Sequence, residues 1–293
     1  MSDTAAALPR GGAAGQRRSR LVFAGVDWRR SWPILPAILF LFAFFIYPVG
    51  ELLFVSFTTP DGALTLEHYE RVATTPVYGR VFMITFQISL LVTLFSIVFG
   101  YPVAYLLATT TPKVRGRLIL LVLVPFWTSF LVRTFSWMIL LAYDGPLHKA
   151  ATLFYGGDVK LIYNMIGVMI GTTQALMPLA ILVMVATMQN IDRNLVNAAA
   201  TMGARGNQAF WRVYFPLSMP GVAAAALLTF ITSLGFFITP ALLGSPSETM
   251  IAQIILTLIQ ELLNWRVAGA LSLTLLIIAL LIFAIQDRLV GTT

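Results

Sequence analysis

Six long apolar stretches, separated by shorter polar segments, organise the chain. They run approximately over Ile34–Phe57, Val81–Ala108, Leu118–Ala142, Leu161–Met188, Met219–Ile238 and Val267–Ile285. A helix needs about 20 apolar residues to cross roughly 30 Å of hydrocarbon, and each stretch is near that length. Helices satisfy their own backbone hydrogen bonds in lipid, and the ten-residue alternation of a membrane barrel is not seen. The pattern therefore predicts an all-α polytopic membrane protein with six transmembrane helices. The first stretch holds Pro36 and Pro48 and has no small-residue cleavage site. It also exceeds the roughly 7–15 residues of a signal-peptide core, so it reads as an uncleaved span.

The polar segments sort by charge. Arg10, Arg17, Arg18, Arg20, Arg29 and Arg30 precede the first span, Lys113, Arg115 and Arg117 follow the second, and Arg193, Arg205 and Arg212 follow the fourth. The alternate linkers carry only Arg71, Arg80, Lys149, Lys160 and Arg266, with acids of equal or greater number. Basic loops stay in the cytoplasm, which predicts that both termini are cytoplasmic. Residues 1–33 form an Arg-, Ala- and Gly-rich tail expected to be disordered near anionic headgroups, and residues 34–293 form one six-span domain.

Composition agrees with the pattern. Of 293 residues, 58% are hydrophobic and 11% charged, against about 25% charged in soluble domains, and the mean hydropathy is +0.86. The formal charge of +7 would suggest nucleic acid in a soluble protein; here it has a topological use. Absence of cysteine excludes disulfides and thiolate sites. The two histidines, His68 and His148, are far apart, which argues against a metal cluster.

One polar insert stands apart: "NAAATMGARGNQAFWRVYFPLSMPG", Asn197–Gly221, between the fourth and fifth spans. Asp192 suits an N-cap, "RNLVNAAATM" suits a short helix, and Gly203 suits its left-handed terminator. A second helical piece, "NQAFWRVYF", leads to the membrane, with Trp211 and Tyr214 at interfacial depth. Pro216 and Pro220 are expected to redirect the chain there. Ala198, Ala199 and Gly203 would let another surface approach the backbone. An ordinary helical hairpin loop explains the same residues.

The spacing resembles the EAA loop of type I ABC importer permeases, E-A-A-x3-G-x9-I-x-L-P. Asn197 occupies the usual glutamate position and Phe215 the usual leucine. The resemblance implies that residues 192–212 carry a coupling helix docking on an ATPase subunit. It assigns this contact to Asn197, Ala198, Ala199, Gly203, Ala204, Arg205, Val213 and Pro216. "PFWTSFLVRTFSWMILL", "YNMIGVMIG", "GFFITPALLGSPSETMIAQII" and "NWRVAGALS" further resemble the spermidine/putrescine permeases of the PotB type. That likeness implies a second permease chain, two ATPase copies that bind ATP and Mg, an extracytoplasmic solute-binding protein, and a polyamine as solute. Amino-acid derivatives and organophosphonates remain alternatives.

Candidate pathway residues follow from polarity. Arg133 falls inside the third span, where a charge costs about 2.5–3.5 kcal/mol. It can snorkel, bond neighbouring carbonyls, or line a cavity or gate. Glu51, in the outer half of the first span, can pair with Arg133 or meet a cationic solute. Trp137, Phe236, Thr239 and Pro240 are candidates for the passage or its outer gate, with plain packing as the competing reading. Beyond Pro240, Gln253, Thr257, Gln260, Glu261 and Asn264 recur at helical spacing and predict an amphipathic interfacial or re-entrant helix. Phosphate-loop, zinc-protease and serine-hydrolase motifs are missing. The chain is thus expected to be no enzyme, to hold no cofactor and to draw its energy from a partner. A secondary transporter would instead show internal repeats, and none is found.

Overall fold

The computed structural model describes residues 32–157 and 159–290. The expected tail falls, except for Trp32 and Pro33, outside the described residues. Two units are distinguished, Met1–Glu51 and Leu52–Thr293. The first unit enters the apolar helix α1, Leu35–Val55. Within α1 the segment Phe42–Ile46 is a π-turn, in which the Tyr47 N–H bonds the Phe42 carbonyl five residues back. Pro48 follows at once. It cannot donate to the helix, and the wider turn keeps its ring off the preceding carbonyls.

The second unit is built around α3 (Pro76–Thr109), α7 (Met165–Met188) and α9 (Gly206–Leu234), preceded by α2 (Glu67–Thr74). These three long helices pack on one another. In lipid, no hydrophobic force separates helix from solvent, so association depends on close van der Waals contact. The contact faces are accordingly small: Ser89, Ser96, Gly100 and Ala104 on α3, Ala175 and Ala180 on α7, and Ser218, Gly221 and Ala225 on α9 are all buried. A Cβ on Gly221 would lie 2.6 Å from Cβ of Thr187, and one on Gly100 would lie 3.1 Å from Ile181. Below the crossing, Leu107, Met184, Val185 and Met188 form the apolar core. At 34 residues, α3 is about 50 Å long, well beyond the hydrocarbon thickness.

One expectation is refined and one corrected. First, the third span is present as a bent pair of helices. It divides into α4 (Pro112–Trp127) and α5 (Phe130–Leu141), with Pro112–Trp127 and Phe130–Phe154 bent by 87°. Pro125 removes a donor in the last turn of α4, and the Thr128 hydroxyl closes on the Pro125 carbonyl at 2.7 Å. The described spans are thus five long helices plus this broken pair. Second, Pro216 and Pro220 do not redirect the chain, since α9 runs unbroken from Gly206 to Leu234. A π-turn over Phe210–Tyr214, with Phe215 N–H bonded to Phe210, admits Pro216 as its counterpart in α1 admits Pro48.

After α5 come α6 (Pro146–Tyr155) and the return through Asn164, whose side chain caps α7 by accepting from Gly167 N at 2.9 Å. The segment after α9 folds back as α10 (Ile238–Leu243) and α11 (Ile251–Gln260), then α12 (Trp265–Val290). Here the anticipated amphipathic helix packs into the bundle. Ile251 and Leu258 are buried with Val81, Val267 and Leu271, and Thr85 Oγ1 accepts from Ile251 N at 2.9 Å. Its polar positions act as caps: Gln253 accepts from Met250 N and Asn264 from Val267 N.

Candidate functional site

The polar insert folds as α8, Arg193–Thr201, with the Asp192 carboxylate accepting from Asn194 N at 2.9 Å. Gly203 ends it at φ +88°. Its N–H bonds the Ala200 carbonyl and the Ala204 N–H bonds the Ala199 carbonyl, both at 3.0 Å. This is the Schellman arrangement, which needs a left-handed residue where Gly has no steric cost. No residue of α8 is buried. Asn197, Ala198, Ala200, Thr201 and Gly203 are exposed, as are Leu195 and, at 87%, Met202. A Cβ on Gly203 would meet nothing within 4 Å, so the bend is open on its outer side.

The exposed helix is held at its base. The end of α3 leaves carbonyls without helical partners. Arg115 donates from Nε to Leu107 O at 2.8 Å and from Nη2 to Ala108 O at 3.1 Å and Thr110 O at 3.3 Å. Its Nη1 donates to Gln189 Oε1 at 3.0 Å. Arg193, in the first turn of α8, donates to Thr109 O at 2.5 Å and Ala108 O at 3.5 Å. Two cations thus cap the negative end of α3 and fasten the base of α8 to it. Sequence reasoning assigned both arginines to topology alone. The available signal was their position just past a helix end.

The other end of the insert runs into aromatic packing. Arg205 N donates to Gln208 Oε1 at 3.0 Å, with the Arg205 side chain exposed and Ala204 half-buried. Tyr105 of α3 meets Phe210 edge-on at 5.3 Å and Tyr214 at 4.9 Å. Tyr101 contacts Phe215 at 5.7 Å, and its hydroxyl shares a 2.9 Å hydrogen bond with Ser218. Val213 is half-buried and Pro216 exposed. The base of α8 is thus tied to α3 by the arginine clamp, and the π-turn of α9 that follows it packs on Tyr101 and Tyr105 of α3.

The pathway candidates do not form one cluster. Glu51 is exposed within the first unit. Trp137 of α5 donates from Nε1 to Gln174 Oε1 at 3.2 Å, beside a recess of about 490 Å³ lined by Phe95, Phe99, Met169, Thr173 and Met177 among others. Gln174 was not singled out from sequence. Thr239 and Pro240 are buried, with Thr239 against Gly171 of α7. Phe236 stacks edge-on with Phe130 at 5.3 Å, where the α4–α5 and α9–α10 breaks meet. The Arg133 guanidinium lies 5.6 Å from the Phe130 ring centre. Among the described residues no group of His, Cys, Asp and Glu is arranged to hold a metal ion.

A helical membrane unit with one broken span and one projecting, clamped helix has the form of a transporter membrane subunit. The match is specific. The family described as binding-protein-dependent transport system inner membrane component matches residues 100–291, and the chain belongs to it. It is 31% identical over 261 residues to the spermidine/putrescine transport system permease protein PotB of Haemophilus influenzae, covering 85% of this chain and 91% of that one. Escherichia coli PotB is 31% identical over 257 residues, with 85% and 93% covered. In structure, a chain of a bacterial alginate ABC transporter in complex with its pentasaccharide-bound periplasmic protein matches with a TM-score of 0.74 at 19% identity, covering 89% and 95%. A chain of the MetNI methionine ABC transporter matches at 0.56 and 23%, covering 73% and 94%. The fold is that of an ABC permease, and the protein is a multi-pass component of the inner membrane.

Proposed function

We propose that this chain forms half of the translocation pathway of an ABC importer for a polyamine of the spermidine/putrescine type. The observation that carries the coupling role is α8: an exposed, Asp192-capped helix ended at Gly203 and clamped to α3 by Arg193 and Arg115. It presents Asn197, Ala198 and Gly203 to a separate ATPase pair, which binds ATP and Mg. Closure of that pair pushes on α8, and the clamp and the Tyr105 contacts carry the displacement into α3 and α9. A second permease chain completes the passage, and an extracytoplasmic binding protein delivers the solute. The basic linkers support cytoplasmic termini. The PotB likeness supports the solute class. Phe236, packed on Phe130 where the α4–α5 and α9–α10 breaks meet, serves as the outer gate, with Arg133 against the Phe130 ring.

The test is uptake by the complete complex in proteoliposomes with ATP inside, using labelled spermidine. Saturable ATP-dependent uptake, displaced by putrescine and not by amino acids or phosphonates, is the expected result. ATP-independent uptake by this chain alone would overturn the coupling reading. Uptake only of an amino-acid derivative or phosphonate would overturn the solute.

A further inference from the structure

Arg133 sits in the first turn of α5 with Nε and Nη1 buried and without a hydrogen-bond partner. Among the described residues, the face of the Phe130 ring lies 5.6 Å from its guanidinium. A cation–π contact offsets only part of the cost of an uncompensated guanidinium in a membrane. The second unit cannot supply the counter-charge from its membrane helices: α3, α4, α5, α7, α9, α10 and α11 contain no Asp or Glu, and α12 has only Asp287 near its end. Phe130, whose ring centre lies 5.6 Å from the Arg133 guanidinium, also lines an open recess of about 210 Å³ with Gly235, Phe236, Phe237 and Ile238. An apolar wall next to an unneutralised cation suits a membrane helix that brings one carboxylate among apolar residues.

We propose that Arg133 is the docking point for an Asp or Glu on a membrane helix of the second permease chain. The pair fixes the register of the two permease halves at the junction of the broken spans, where a buried ion pair specifies geometry more than it adds stability. The inference rests on the two-chain importer proposed above.

The experiment reads assembly, which needs no solute and so stands or falls separately from the polyamine assignment. In the complete complex, Arg133→Glu is expected to lower recovery of the two-permease assembly at least about tenfold, since an unpaired buried charge is strongly destabilising. Each Asp and Glu in the partner's membrane helices is then changed to Arg in the Arg133→Glu background. Restoration by one of them supports the proposal and identifies the carboxylate. Arg133→Gln, with size-exclusion and thermal-melting controls on the isolated chain, separates a folding defect from a docking defect; loss of folding in that variant would overturn the docking role. So would normal assembly of Arg133→Glu, or rescue by Glu51→Arg within this chain. Absence of rescue by any partner position, with assembly depending on anionic lipid content, would assign Arg133 to a headgroup phosphate instead.

Discussion

Arg193 donates from the first turn of the exposed helix to the Thr109 carbonyl, 84 residues earlier in the chain, at 2.5 Å. With Arg115 it converts the open carbonyl end of α3 into the footing of α8. Hydrogen bonds from charged donors are worth about 1.5–3 kcal/mol when well shielded, and less at this largely exposed site. Arg193→Met should therefore leave folding and assembly nearly intact while lowering transport per ATP hydrolysed. Arg115→Met, which removes bonds to three carbonyls and to Gln189, should cost more in melting temperature. Parallel measurement of uptake and hydrolysis checks both. Unchanged coupling in the Arg193 variant would show the clamp to be structural only.

Gly203 separates backbone from surface effects. Its φ of +88° disfavours any L side chain, yet nothing within 4 Å would obstruct a Cβ. Gly203→Ala should thus destabilise the end of α8 by about 1 kcal/mol through conformation alone. Gly203→Asn, which tolerates left-handed backbone better, should keep more of the bend. If both variants bind the ATPase equally weakly, the side chain itself obstructs docking; if Asn binds better than Ala, the bend is what the ATPase requires. Affinity measured on the detergent-solubilised permease with isolated ATPase distinguishes the two.

Tyr105 is the aromatic link between α3 and the π-turn. Aromatic pairs contribute about 0.5–1.5 kcal/mol each beyond area burial, and Tyr105 makes two such contacts, to Phe210 and Tyr214. Tyr105→Ala is predicted to leave basal ATP hydrolysis unchanged and to lower its stimulation by solute-loaded binding protein. Tyr105→Phe should restore the stimulation, because the ring and not the hydroxyl makes these contacts. Loss of stimulation in the Phe variant would refute the packing account.

Much of this architecture was legible in the order of residues. Apolar length gave the spans, and Asp192 and Gly203 bounded α8. The break between α4 and α5 was not legible, because Pro125 in an apolar run is equally compatible with a kinked continuous span. Nor was the π-turn before Pro216, where aromatic residues and proline suggested a bend. The clamp was hidden for a different reason. Arg115 and Arg193 are 78 positions apart in the sequence, and only the meeting of α3, α4 and α8 brings both to the carbonyl end of α3, where they share the Ala108 carbonyl. Trp137 was named, but its partner Gln174 lies on another helix with no local sign of the bond.

A buried hydrogen bond outside the coupling region offers an internal control. Thr85 Oγ1 accepts from the Ile251 amide at 2.9 Å, and both residues are fully buried. Thr85→Val keeps the shape and strands that N–H, so a loss of about 1–3 kcal/mol is expected. Thr85→Ser keeps the acceptor and should lose less. Both should melt without a change in transport per ATP, in contrast to Arg193→Met. A coupling defect in Thr85→Val would extend the transmission path to α11.

The tightest test of the fold is the α7–α9 crossing. A Cβ on Gly221 would stand 2.6 Å from Cβ of Thr187, inside any real contact distance. Gly221→Ala must therefore push the helices apart, at a cost of about 1–3 kcal/mol typical of overpacking. Rescue discriminates the cause. Thr187→Ala retains the Cβ that makes the closest approach and should restore little, whereas Thr187→Gly removes it and should recover most of the lost stability. The exchange is not free, since glycine within a helix costs about 1 kcal/mol relative to alanine. Thermal melting of the two double variants against Gly221→Ala decides the matter: equal recovery by Thr187→Ala would mean that the hydroxyl or methyl, and not the backbone separation, sets the crossing.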